Sequence, residues 1–391
     1  MVDRERLLKT FTDYVRIDSE SGDEKAMCLQ VERDLKALGL EAVRQGAPED
    51  THSTGWNLIC TVQGNTGGAE AGHADGAETG AVTLPPLIIS AHLDTVSPGK
   101  GIEPVLGEDG IIRSKGDTIL GGDDKCGVAA MVELARLLTE HPGPHRTVQF
   151  IFTVGEENGQ YGAKALEKDA QLLAARHALV LDSSGPVGRM VTSAPGHNTI
   201  TATITGKASH AGNRPQEGIS AITTAARAVV SMKLGQVDGE TTANIGTLSA
   251  VGATNVVNPH LEFVAEARSR NVKKLEAQTA HMIGCLEAAC AQSGASLTWN
   301  TQSLYKGFDI PGDDPFLQEM CGIFRSMGIE PFTARSGGGS DANALNAMGI
   351  TALNLGVGMN KGHSTEEDLD VNCLYDTAEL LWQAVAGMLR N

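Results

Sequence analysis

The chain has 391 residues, 41% of them hydrophobic and 20% charged, with 31 Lys+Arg against 48 Asp+Glu and a formal charge of -17. This is the composition of a soluble globular protein long enough for two or three domains. The acidic balance argues against a nucleic-acid partner, which needs basic surface to displace counterions. An aromatic content of 4% disfavours a base-stacking platform.

The opening segment MVDRERLLKTFTDYVRI is charged from its third residue and lacks the apolar block of a secretory leader. Its spacing predicts an amphipathic helix that buries Leu7, Leu8, Phe11 and Val15. Residues 64–82 are rich in Gly and Ala without periodicity and read as a flexible excursion between strands, with His73 solvated inside it. Four short apolar runs read as buried strands: LIIS ahead of His92, VQFIFTV ahead of Glu156, ALVL ahead of Asp182, and ITALNL ahead of the segment with His363. Helical patterns such as 126–138 and 377–389 alternate with them, so an α/β fold with a mostly parallel sheet flanked by helices is expected. Between about 195 and 303 the pattern changes to β-α-β-β-α-β, the ferredoxin-like α+β order. The expected organisation is a catalytic domain in two parts, 1–194 and 304–391, with a lid domain at 195–303 inserted between them.

No apolar run approaches the roughly 18 residues of a membrane-spanning helix, so no membrane partner is expected. The seven cysteines, Cys28, Cys60, Cys126, Cys285, Cys290, Cys321 and Cys373, are odd in number and form no CxxC pair. They fit free thiols in a reducing cytoplasm, with Cys285 and Cys290 as helix packing residues.

Chemistry collects where the apolar runs end, the edge at which open α/β sheets bind ligands. In SAHLDTV, His92 and Asp94 lie two apart on an extended segment and point the same way, so one can ligate a metal while the other orients it. An ordinary strand-end turn explains them equally well. In GGDDK, Asp123 and Asp124 open a helix, where Asp is also a favoured cap. Adjacent Glu156 and Glu157 follow a buried run and repel unless a cation or a proton intervenes, although a solvent-facing acidic turn is the alternative. Asp182 and His363 are individually weak signals. Together these residues offer imidazole and carboxylate without thiolate, which suits zinc, manganese or cobalt. Five such ligands exceed the usual three of a single catalytic zinc and fit two metals if one carboxylate bridges. The Gly-rich segment 335–345 lacks a Walker pattern, and Gly338-Gly339-Ser340-Asp341-Ala342 departs from a nucleophile elbow at its last position.

His92-Leu93-Asp94, Gly121-Gly122-Asp123-Asp124-Lys125, Glu156-Glu157, Asp182 and His363, in this order, resemble the co-catalytic metallopeptidases that include peptidase T, carboxypeptidase G and the aminoacylases. GGDDK and SGGGSDAN look most like the peptidase T branch. The resemblance implies a zinc exopeptidase-like fold and two divalent metal ions. His92 and Asp182 would hold one, Glu157 and His363 the other, and Asp123 would bridge them. It further implies Asp94 as orienter of His92, Glu156 as general base for the attack of a metal-bridging hydroxide, and a cis peptide after Asp123. His210 would donate to the substrate carbonyl, and Arg268 and Asn255 would bind the substrate carboxylate, although a salt bridge to a neighbouring Glu explains Arg268 as well. The expected activity is a tripeptidase-like aminopeptidase on short peptides. An N-acyl-amino-acid amidohydrolase, a carboxypeptidase, and a metal-stabilised binding protein are the alternatives. The lid's exposed strand and helices could join two copies as a homodimer.

Overall fold

The computed structural model describes residues 2–65 and 84–387. Nearly all of the expected excursion at 64–82, His73 included, lies outside the described residues. The chain divides into two compact units. One comprises Met1–Thr192, Ile310–Arg335 and Ser340–Asn391, the other Ser193–Asp309 and Ser336–Gly339. The short 336–339 piece, which sequence patterning left in the catalytic part, belongs to the second unit, where the Ser336 N–H donates to the Ser193 carbonyl at 2.8 Å.

The sheet of the first unit runs, from one edge, Ala42–Gln45, Asn57–Val62, Val148–Thr153, Leu87–His92, His177–Ser183, Thr351–Gly356 and then Arg189–Ala194. The four strands from Val148–Thr153 to Thr351–Gly356 are mutually parallel. They are the four apolar runs of the sequence. Val148–Thr153 and Leu87–His92 are buried along their whole length, as strands covered on both faces must be. A smaller sheet of Met359–Asn360, Asp368–Asp370, Ile111–Ser114 and Pro104–Leu106 has no counterpart in the sequence reading, because three of its strands span only two or three residues.

The first helix, Arg4–Val15, is capped by the Asp3 side chain, which accepts from the Arg6 N–H at 3.0 Å. It buries Leu7, Phe11, Tyr14 and Val15, whereas Leu8 is only half-buried. The stripe follows i, i+4, i+7 and i+8, and Tyr14 joins it because its hydroxyl donates to Asp34 at 2.6 Å. Helix Gly122–Glu140 is apolar nearly all round and is buried. Among the described residues no helix is long and apolar enough to cross a membrane.

The second unit is an antiparallel sheet in the order Gly235–Gln236, Thr241–Ser249, His260–Ser269, Gly196–Thr205, Ser296–Tyr305. Helices Ala221–Ser231 and Val272–Ser293 complete the expected β-α-β-β-α-β order, and the two-residue strand Gly235–Gln236 is an addition. Alternation sets the core. Ile200, Ala202 and Ile204 are buried with Leu261, Phe263 and Ala265 of the neighbouring strand and with Met282 and Leu286 of the long helix. Cys290 is buried in this core, and Cys285 packs against it half-buried.

Candidate metal centre

The metal-centre candidates all lie in the first unit: His92, Asp94, Asp182 and the Glu156–Glu157 turn at or just beyond the carboxyl ends of its parallel strands, Asp123 at the start of helix Gly122–Glu140, and His363 between the short strands Met359–Asn360 and Asp368–Asp370. His92 ends its strand beside Thr153, from which the chain runs on to Glu156 and Glu157. Across the neighbouring strand, His92 Nε2 stands 3.8 Å from Asp182 Oδ1. It lies 3.1 Å from Asp123 Oδ1. On the far side, His363 Nε2 lies 3.0 Å from Glu157 Oε2 and 3.6 Å from Asp123 Oδ2. Asp123 therefore presents one oxygen to each histidine. Donor atoms of His92, Asp123 and Glu157 lie within 4.8 Å of one another, as do those of His92, Glu156 and Asp182.

The aspartate pair divides its two expected uses. Asp124 acts as the cap, its Oδ1 accepting from the Gly127 N–H at 3.2 Å, while its Oδ2 accepts from the His92 N–H at 3.3 Å. Asp123, joined to it by a cis peptide, faces the histidines. Gly121 at φ +69 makes the turn. A Cβ on Gly127 would lie 2.4 Å from Asp124 Oδ1 and 2.8 Å from Leu181 Cβ, so only glycine lets the helix approach the sheet this closely.

Asp94 touches both His92 and the glutamate turn. The His92 Nδ1 lies 3.0 Å from the Asp94 carbonyl and 3.4 Å from its carboxylate. That carboxylate also accepts the backbone N–H of Glu156 at 3.0 Å, the backbone N–H of Glu157 at 3.1 Å and the Ser21 hydroxyl at 2.7 Å. The preceding N–H, of Gly155, donates to the buried Glu24 at 3.1 Å, and Glu24 also accepts from Ser53. Three successive amides of the Glu156–Glu157 turn thus end on carboxylates.

Residues outside the sequence reading complete the support. Asn354 brackets Asp182, accepting from its N–H and donating to its carbonyl, both at 3.1 Å. The ladder shifts register between Asn354 and Gly356, so Asp182 sits in a bulge whose backbone groups the Asn354 amide satisfies. Glu367, buried, accepts from the N–H groups of Leu120, Gly121 and Asp123. Buried Asp341 accepts from the Thr153 hydroxyl at the end of the strand that leads to Glu156. No pattern in the sequence separates Glu367 from its neighbour Glu366, which is exposed and pairs with Lys361.

The charges of the centre are unbalanced. Burial pushes the Glu156 carboxyl well above its usual range, with His92 opposing and Asp341, Glu157 and Asp94 adding to the rise. Burial, and then repulsion from Asp123 and Glu156, does the same to Asp182. Burial also raises Glu157. Burial works against Asp123 ionising as well, but the nearby His363 ring and the hydrogen bond with His92 hold it below the carboxylate range. The nearby carboxylates of Asp123 and then Glu157 lift His363 to about 10. Glu157 Oε1 is buried without a hydrogen-bond partner. A buried, unpaired carboxylate oxygen among four other carboxylate or imidazole donors is the environment that a divalent cation relieves, so the residues fit such ions.

The substrate candidates lie in the second unit. His210 and Asn255 belong to adjoining loops, with a bridge between His210 and Val256 and a 2.9 Å bond from the Ala211 N–H to the Asn255 carbonyl. The His210 Nδ1 accepts from the N–H groups of Gly212 and Asn213, both at 3.1 Å, which leaves the proton of a neutral ring on Nε2. Arg268 forms a fork to Glu266, with both bonds at 3.0 Å, and His197 Nε2 lies 3.2 Å from the same carboxylate.

An α/β unit that gathers imidazole and carboxylate donors at the carboxyl edge of its sheet is the frame of a candidate metal centre. Residues 88–386 match the model of peptidase family M20/M25/M40, and the chain belongs to that family. It is a hydrolase of peptide bonds. It is 38% identical to the uncharacterised protein YqjE of Bacillus subtilis (strain 168) over 97% of this chain and 98% of that one. Among solved structures it is similar to the aminopeptidase PepT of Bacillus cereus ATCC 10987, at 38% identity and a TM-score of 0.86 over 98% of both chains. It is also similar to a tripeptidase of Staphylococcus aureus subsp. aureus mu50, at 36% identity and a TM-score of 0.90 over the whole of both chains. These similarities place it in the peptidase T-like branch.

Proposed function

We propose that this chain is a two-metal exopeptidase that removes the N-terminal residue from short peptides, tripeptides foremost. The observation that carries the reading is Asp123, which offers one carboxylate oxygen to the His92 side and the other to the His363 side. His92 and Asp182 would hold one divalent ion and Glu157 and His363 the other, with Asp123 shared between them. Two such ions would supply Lewis-acid polarisation of the scissile carbonyl and a nucleophilic water near neutral pH. The donor set suits zinc, with manganese and cobalt as alternatives.

Glu156 is the general base. Its carboxylate takes the proton of the attacking water and delivers it to the leaving amine, and Asp94 fixes it by gripping the amides of both glutamates. His210, with its proton on Nε2, is the donor to the substrate carbonyl. Arg268 and Asn255 bind the substrate carboxylate, for which a guanidinium fork is well shaped. The seven unpaired cysteines support a cytoplasmic location, and the exposed edge strand Ser296–Tyr305 supports a homodimer through the second unit. The PepT and tripeptidase names of the similar structures support the aminopeptidase direction.

Mass spectrometry of products from di-, tri- and N-acetylated peptides, run with zinc, manganese and cobalt, tests this reading. The expected product is the free N-terminal residue of a tripeptide, with the N-acetylated peptide left intact. Release of a C-terminal residue or of the acyl group would move the chain to the carboxypeptidase or amidohydrolase reading.

A further inference from the structure

We infer that Glu367 is a positioning residue of the metal centre: its carboxylate fastens the loop carrying His363 to the turn carrying Asp123, and so sets the affinity of one ion of the pair. The inference rests on the two-metal reading above.

His363 stands on an exposed loop. Its side chain is 57% accessible, and its backbone, like that of Lys361, lies in the left-handed region at φ +62 and +53. Within residues 360–367, Glu367 is the only buried residue. The bonds from Ser364 Oγ to the Lys361 carbonyl, from Lys361 Nζ to Glu366 and from the Glu367 N–H to the Ser364 carbonyl all stay inside the loop. They shape it without attaching it to anything else.

The ends of the loop are held by the ladder of Met359–Asn360 with Asp368–Asp370, which pairs in turn with Ile111–Ser114, and the Glu367 side chain makes the attachment to the Asp123 turn. Its Oε2 accepts the N–H groups of Leu120 at 2.8 Å and Gly121 at 2.9 Å, and its Oε1 accepts that of Asp123 at 3.0 Å. Three amides converging on one anion form a nest, and charge-assisted bonds of this kind are the strong ones. The turn leaves room for it, since a Cβ on Gly122 would come within 3.1 Å of Glu367 Oε1. One carboxylate four residues beyond His363 thus holds the backbone of the residue that His363 must meet. The other ion would share Asp123, but its remaining ligands do not depend on Glu367 in this way. His92 and Asp182 are strand residues, held by the ladder and by Asn354.

The test is calorimetric titration of the metal-free full-length protein with zinc, wild type against Glu367→Gln. An amide keeps the shape but loses one of the two accepting oxygens. The expected result is that one equivalent binds about 10–100-fold more weakly, as befits loss of an outer partner, while the other, which meets Glu367 only through the shared Asp123, weakens less. Turnover should recover at high zinc. Equal weakening of both equivalents, or of neither, overturns the assignment. If the variant does not fold, hydrogen exchange on the wild type decides. The second equivalent should slow the amides of Leu120, Gly121 and Asp123 together with the 361–367 loop, and protection of the loop without those amides overturns the assignment. Wild-type protein that takes up fewer than two equivalents sinks the two-metal reading, and does so before any variant is made.

Discussion

Asn354 holds Asp182 from both sides of its backbone, its amide oxygen accepting the Asp182 N–H and its amide nitrogen donating to the Asp182 carbonyl, each at 3.1 Å. The bulge that turns Asp182 toward His92 would otherwise leave two polar groups unmatched inside the sheet. Asn354→Ala is expected to lose about 1–3 kcal/mol of stability by denaturant unfolding, the cost of orphaned buried groups. Metal affinity should fall with it. A variant as stable as the wild type with full metal affinity would show that water replaces the amide without consequence.

Glu156→Gln should keep both metals, because the amide removes only the proton acceptor. Turnover should fall by about 10²–10⁴-fold, the usual contribution of a general base. Metal content by elemental analysis and kcat by product assay are read on the same sample. Retained turnover would transfer the proton-accepting role to another carboxylate, and lost metal would make Glu156 a ligand.

Arg268→Ala should raise KM for peptides with a free terminal carboxylate and leave amidated peptides unaffected, with kcat little changed. The structure supplies the competing role, since the same fork already closes on Glu266. An equal effect on both peptide classes would mean that the guanidinium serves only its neighbouring carboxylate.

Glu266 itself sets a pH dependence in the second unit. The His197 ring beside it, and then the hydrogen bonds from Arg268, depress its carboxyl from 4.5 to about 2, with burial opposing. A depressed pKa contributes stability that is fully present above the unfolded-state value and is lost as pH falls toward the folded value. The stability gap between wild type and Glu266→Gln should therefore be constant above about pH 5 and close between pH 4.5 and about 2. Chemical unfolding at stepped pH measures it. A gap that is unchanged down to pH 2 would mean that the carboxylate's pairing contributes nothing.

The residues legible in the sequence are those that sit where a buried strand ends. His92, Glu156 and Asp182 each follow an apolar run, and a polar side chain at that point faces the ligand edge of the sheet. The two units were legible because the hydrophobic period changes between them. Residues that act through backbone amides were not legible. Glu24, Asn354 and Glu367 accept or donate to main-chain groups 131, 172 and up to 247 residues away, and no local spacing encodes such a contact. The division of labour between Asp123 and Asp124 was hidden for a related reason. Both are carboxylates at a helix start, and only the turn geometry decides which one caps. The small sheet around Asp368–Asp370 escaped because strands of two to four residues carry no readable alternation.

The central claim is that side chains from five separate stretches of chain grip two cations that share Asp123. Anomalous diffraction from a zinc-loaded crystal tests it directly. The account predicts two zinc peaks, one bounded by His92, Asp123 and Asp182 and the other by Asp123, Glu157 and His363. A single peak, or a pair of peaks that does not share Asp123, would contradict it.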